Sequence, residues 1–154
     1  MEDTDLGCHG GLIESNYKVA ENRAMLLQRK LKSSDHFLAD GYKQAMEKYL
    51  NHDYARKLIA SDVNINENGT WYIPHHAVVH PKKKKVQVVF DCAAKHRGKS
   101  PNDHLYQGPD LVYTLFGILF RIRMKEVALI ADVESMYCRV RVMPEDEKML
   151  GFLW

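Results

Sequence analysis

His75-His76-Ala77-Val78-Val79-His80-Pro81-Lys82-Lys83-Lys84-Lys85-Val86-Gln87-Val88-Val89-Phe90-Asp91 is the stretch that decides how this chain folds. Two short runs rich in β-branched residues flank a proline and a block of lysines, the pattern of two extended strands joined by a polar turn. The spacing predicts strands at His76–His80 and Lys85–Asp91. Side chains alternate along a strand, so Val86, Val88 and Phe90 share one face. Gln87, Val89 and Asp91 share the other.

Towards the N-terminus the period changes from extended to helical. Apolar residues at Tyr17, Ala20, Ala24, Leu27 and Leu31 form a helical stripe with basic residues opposite. Ser33-Ser34-Asp35 breaks that stripe and can cap a second helix, from about Phe37 to Leu50, with Tyr42, Ala45, Met46 and Tyr49 on one side. A further short helix is expected near Tyr54–Ile59. Asn68-Gly69 predicts a hairpin turn between Val63–Asn66 and Thr70–Ile73. Residues 1–11 are polar and glycine-containing, a frayed terminus, and 12–60 read as a helical segment ahead of the hairpins.

Towards the C-terminus, residues 92–109 read as a polar loop. Asp110 is placed to cap a helix running to about Arg123, with Leu111, Leu115, Ile118, Leu119 and Ile122 packing inward. Val127-Ala128-Leu129-Ile130-Ala131 predicts a buried strand that delivers Asp132 at its end. Cys138–Met143 predicts another. The class is α+β: N-terminal helices, then antiparallel hairpins, then a helix and strands over residues 61–154.

A net charge of +2 and a pI near 8.4 permit nucleic-acid binding without demanding it. Three cysteines, Cys8, Cys92 and Cys138, are too scattered for a disulfide framework or a zinc spacing and indicate a reducing intracellular compartment, cytoplasmic or nuclear. His75, His76 and His80, with His52 and Cys92 elsewhere, lack the paired spacing of a zinc site. No membrane-spanning run is present.

Asp132 admits two readings. A carboxylate at a strand end is ordinarily a cap or turn residue. Held rigidly, it is also what a two-metal nucleotidyl-transfer site needs first, because Mg²⁺ takes hard oxygen ligands. Its neighbours bear on the choice. Tyr72-Ile73-Pro74-His75-His76-Ala77-Val78 and Lys85-Val86-Gln87-Val88-Val89-Phe90-Asp91 come first. Ser100-Pro101-Asn102-Asp103, Gln107-Gly108-Pro109-Asp110-Leu111 and Gly151-Phe152-Leu153-Trp154 follow. In this order and spacing the chain resembles the reverse transcriptase of BEL/Pao-type LTR retrotransposons, over about residues 12–154 and most strongly over 70–154.

That resemblance implies fingers followed by the first strands of an incomplete palm. Asp132 would hold Mg²⁺ with the backbone carbonyl of Val133, and Tyr137 would be the steric gate against a ribose 2′-hydroxyl; without the resemblance Tyr137 reads as a core aromatic at a strand start. Lys82, Lys83, Lys84 and Lys85 would meet the triphosphate of an incoming deoxynucleotide, although a charge run at a turn is ordinarily just solvated. Gln87 departs from the family pattern, which has an arginine there; the charge and the bidentate fork are both lost. Asp91, which would orient that arginine, is left without its ion-pair partner. Ala93 and Pro101 are further departures. Arg97 and Lys99 are candidate nucleic-acid contacts.

The expected function is therefore a fragment of an RNA-directed DNA polymerase acting on an RNA or DNA template-primer with Mg²⁺. Extension by the fragment alone is not expected, because the family's paired aspartates are absent and a lone carboxylate holds Mg²⁺ feebly. The alternative is a non-catalytic nucleic-acid-binding or scaffold module of the same origin. Either way, the apolar faces of 110–123 and 127–131 are expected to lack partners.

Overall fold

The computed structural model describes residues 14–59, 69–105 and 108–154. Among the described residues the chain is a small α+β protein: helices α1 (Tyr17–Ser33), α2 (His36–Asn51) and α3 (Leu115–Arg123), and one antiparallel hairpin, β1 (His75–His80) with β2 (Lys85–Phe90). It divides into two compact units, Met1–Leu105 with Arg141–Trp154, and Tyr106–Val140.

In the first unit both helical stripes face inward. Ala20 and Leu27 of α1 and Tyr42 and Met46 of α2 are buried, and Ala24, Leu31, Ala45 and Tyr49 are half-buried. Asp35 caps α2 as expected, its side chain accepting from Leu38 N at 3.0 Å. The hairpin register pairs His75 with Phe90, Ala77 with Val88 and Val79 with Val86. Val86, Val88 and Phe90 turn towards the core while Gln87 and Val89 stay exposed, so the expected alternation holds.

Leu27, Tyr42, Met46 and Val86 form one buried cluster, and Trp71 with Ile73 forms a second. Burying a side chain of this size contributes about 1.5–3 kcal/mol relative to leaving it exposed. Gly41 lets α2 approach β2 closely. A Cβ there would lie 2.6 Å from Val86 Cγ2, which explains a helix former as poor as glycine in mid-helix.

Residues 71–73 lie between two partners distant in sequence. On one side Trp71 N donates to Lys148 O (3.0 Å) and Ile73 N to Gly151 O (2.6 Å), around a parallel bridge between Tyr72 and Gly151. On the other, the buried Asn16 amide receives Tyr72 N–H (2.7 Å) and donates to Tyr72 O (2.8 Å). Phe152 and Trp154 then pack their rings on His75, with Phe152 also on Phe90 and Trp154 on Tyr42.

Several expectations are corrected. Residues 127–131 and 138–143 are not strands: 127–133 carry no regular structure, and Met136–Arg139 is a 3₁₀ turn. An apolar run becomes a strand only when another chain segment takes up its backbone hydrogen bonds. Here Leu129 and Ile130 are 92% and 91% exposed. α3 begins at Leu115, not near Asp110; Thr114 caps it through Gly117 N, and Asp110 closes a local turn onto Val112 N. The side chains expected to pack inward from α3 are exposed, and none of its residues is buried. No helix forms at 54–59. The expected strand 63–66 and the terminus 1–11 lie outside the described residues.

Candidate functional site

The tip of the β1–β2 hairpin is a basic turn built on a histidine. His80 O accepts from Lys84 N at 2.9 Å, and His80 Nδ1 accepts from the backbone N–H groups of Lys82 (3.3 Å) and Lys83 (3.2 Å). Lys84 takes a left-handed conformation, φ 44°, that lets the chain reverse. Since His80 satisfies the turn's backbone, all four lysine side chains project freely. Lys82, Lys83, Lys84 and Lys85 are exposed, and among the described residues their ammonium groups make no ion pair.

Gln87 lies on the exposed face of β2, opposite Val78 in the register and two residues from the lysine turn. The hairpin thus presents an amide and a cluster of cations on one element. Asp91, at the other end of β2, has a partner after all: Arg23 Nη1 of α1 reaches its Oδ2 at 3.4 Å. Sixty-eight residues separate the two, and the arginine comes from a helix that the hairpin's own sequence does not reveal. Both side chains are more than a third exposed, so the pair contributes little to stability.

Arg97 and Lys99 sit on a different turn. His96 and Lys99 form an antiparallel bridge closed by Arg97 and Gly98, both with positive φ. The Arg97 guanidinium is held by the Glu14 carboxylate, which offsets its charge, whereas Lys99 is exposed.

Asp132, Val133 and Tyr137 belong to the second unit. Asp132 is exposed, Val133 is 55% exposed, and Tyr137, on the 3₁₀ turn 136–139, is 87% exposed. Ser135 turns the chain in the left-handed region, and Arg139 Nε donates to Glu134 O (2.9 Å). Tyr137 is therefore not a core aromatic. Among the described residues no group of three or more His, Cys, Asp or Glu side chains comes together in a way that could hold a metal ion. One carboxylate and one backbone carbonyl do not make a Mg²⁺ site, because this cation needs several hard oxygens in near-octahedral array.

The histidines serve the fold. Buried His75 donates from Nε2 to Leu153 O at 2.8 Å. A carbonyl only accepts, so the proton sits on Nε2 and Nδ1 is left to accept from the Tyr42 hydroxyl at 2.5 Å. Burial lowers the His75 pKa; the bond to Leu153 opposes that and neighbouring His76 adds to it. Burial also raises the Tyr42 pKa, with Tyr49 contributing in the same direction. Both groups are thereby kept neutral. Ser100, Asp103 and His104 look like a catalytic trio but form a cap. Asp103 Oδ2 accepts from Ser100 N and Oγ, both at 2.8 Å, and these bonds hold its carboxyl below the usual range. His104 Nδ1 bonds Ser100 O, not Asp103.

Comparison with protein-family models, with curated proteins and with solved structures returned no match to this chain. Among the described residues no helix is long and apolar enough to cross a membrane.

Proposed function

We propose that the chain is a fingers-and-first-palm segment of a BEL/Pao-like reverse transcriptase, the parent activity being addition of deoxynucleotides to a primer 3′-hydroxyl by a two-Mg²⁺ in-line displacement. The observation that carries this reading is the β1–β2 hairpin, on which a lysine turn and Gln87 stand exposed together at the tip. Lysines so placed would neutralise a triphosphate or a template-primer backbone. Asp132 and the carbonyl of Val133 would be the first metal ligands, and Tyr137 the sugar-selecting ring. One carboxylate cannot align two metal ions, so these residues alone are not expected to extend a primer. The test is extension of a labelled primer–template with Mg²⁺ and deoxynucleotides. No product is the expected result; product that disappears in Asp132→Ala would show a complete catalytic site and overturn the segment reading.

A second reading is favoured by the same turn. Four exposed lysines, without an ion pair among the described residues, and glutamine in place of the phosphate-gripping arginine suit a non-catalytic nucleic-acid-binding module. Binding of single-stranded RNA and DNA by fluorescence anisotropy at low salt distinguishes it: absence of binding removes the module.

A further inference from the structure

A second feature of the first unit lies away from the lysine turn and does not depend on the polymerase-like reading. The C-terminal half of α1 and the start of β1 enclose an open groove of about 250 Å³. Leu26, Leu27 and Leu31 of α1, Leu38 of α2, Pro74 and Ala77 line it. Leu26 is 61% exposed, a large apolar side chain left in water at the mouth of an apolar groove. Arg23 and Lys30 also line it. They are seven residues apart on one helix, which places them about 10.5 Å apart along its axis and on the same face. α1 carries Lys18, Arg23, Arg29, Lys30 and Lys32 against the single acid Glu21. The groove's one carboxylate, Asp91, is already engaged by Arg23.

We propose that this groove is a docking site for an acidic amphipathic helix of a partner protein, one presenting two carboxylates seven residues apart with leucine-sized side chains between them. Size and charge select this occupant. An apolar cavity of roughly 150 Å³ holds a benzene-sized group, so the groove takes one or two side chains. It falls below the roughly 300 Å³ at which drug-sized ligand pockets begin. Arg23 and Lys30 repeat at helical rise, and a facing helix with acids at the same spacing meets both while its intervening apolar side chains cover Leu26. The Arg23–Asp91 pair is exposed, so an incoming carboxylate can share Arg23 at little cost.

The test uses the whole 154-residue chain and a fluorescein-labelled helical peptide with two glutamates seven residues apart and leucines three and four residues after the first. The expected result is saturable binding that weakens at least roughly tenfold when both glutamates are lysines, and by a similar factor in Leu26→Ser or Lys30→Glu. Lys30→Glu should regain affinity for a peptide in which only its facing glutamate is changed to lysine. Both substitutions are at exposed positions, and circular dichroism verifies that the fold is kept. Equal binding of acidic and basic peptides, or affinity unchanged by Leu26→Ser, would overturn the proposal. So would peptide-free self-association in sedimentation velocity that Leu26→Ser abolishes, because a second copy would then be the occupant.

Discussion

The side-chain amide of Asn16 forms both backbone hydrogen bonds of Tyr72 on one edge, at 2.7 and 2.8 Å across 56 residues of sequence. It does the work of a neighbouring strand for one residue. Asn16 is only 2% exposed, so its removal strands a buried N–H and a buried C=O. Asn16→Ala should therefore cost about 2–4 kcal/mol, read as a fall in urea midpoint at unchanged m-value. Asn16→Asp should keep only the bond from Tyr72 N–H at neutral pH. Its loss should shrink as the pH falls through the carboxyl's raised pKa, since a protonated Asp can donate to Tyr72 O.

Gly41→Ala is expected to destabilise although alanine is the better helix former. The gain in propensity is about 1 kcal/mol. Against it stands a Cβ 2.6 Å from Val86 Cγ2, in a cluster where overpacking costs about 1–3 kcal/mol. Thermal melts of Gly41→Ala, Val86→Ala and the double variant check this. The double should be more stable than the sum of the two single losses allows, since removing the Val86 methyl groups relieves the clash.

His75 makes stability depend on pH with a definite sign. Its folded pKa is lowered, chiefly by burial, so the unfolded chain binds the proton more readily. Its contribution is complete above the unfolded value of about 6.5 and is lost as the pH falls from there through the lowered folded value. Protonation would also set an Nδ1–H against the Tyr42 hydroxyl that donates to it. Urea midpoints between pH 8 and 5 should fall for the native chain, and His75→Phe should flatten that part of the curve. Tyr42→Phe should cost about 1–3 kcal/mol by leaving Nδ1 buried without a donor.

Replacing Lys82, Lys83, Lys84 and Lys85 with serine should leave the fold intact, since the turn is held by His80 and backbone groups. Any affinity for single-stranded nucleic acid should fall uniformly across sequences, and the slope of log K against log salt should shrink by up to roughly 3. Anisotropy titrations at several salt concentrations give both quantities. Arg97→Ser should change the slope less, because Glu14 already neutralises that guanidinium.

Backbone amides of 127–133 should exchange with solvent far faster than those of β1 and β2. The former have no ladder, while the latter pair along the whole hairpin. Hydrogen exchange read by NMR tests this directly; protection in 127–133 in a proven monomer would mean that these residues find partners in solution.

The elements whose stability is local were legible in the sequence. The stripes Tyr17 to Leu31 and Tyr42 to Tyr49 repeat at helical spacing, and Asp35 caps the second from within its own first turn. The alternation Val86, Val88, Phe90 sets which face of the hairpin is buried, and the lysine turn joins strands adjacent in the chain. These features need only neighbours within a few residues, so periodicity reports them. Tertiary structure decided the rest. The run 127–131 has the composition of a strand, but composition does not supply hydrogen-bond partners, and the run carries no regular structure. Conversely, 71–73 gain theirs from Asn16 and 148–151, which no local pattern connects. Asp91 finds its counter-charge on α1, and His75 finds Tyr42 and Leu153 O. Each of these contacts joins residues that only the packed chain brings together. Sequence shows which side chains want burial or a partner, whereas packing decides which of them get one.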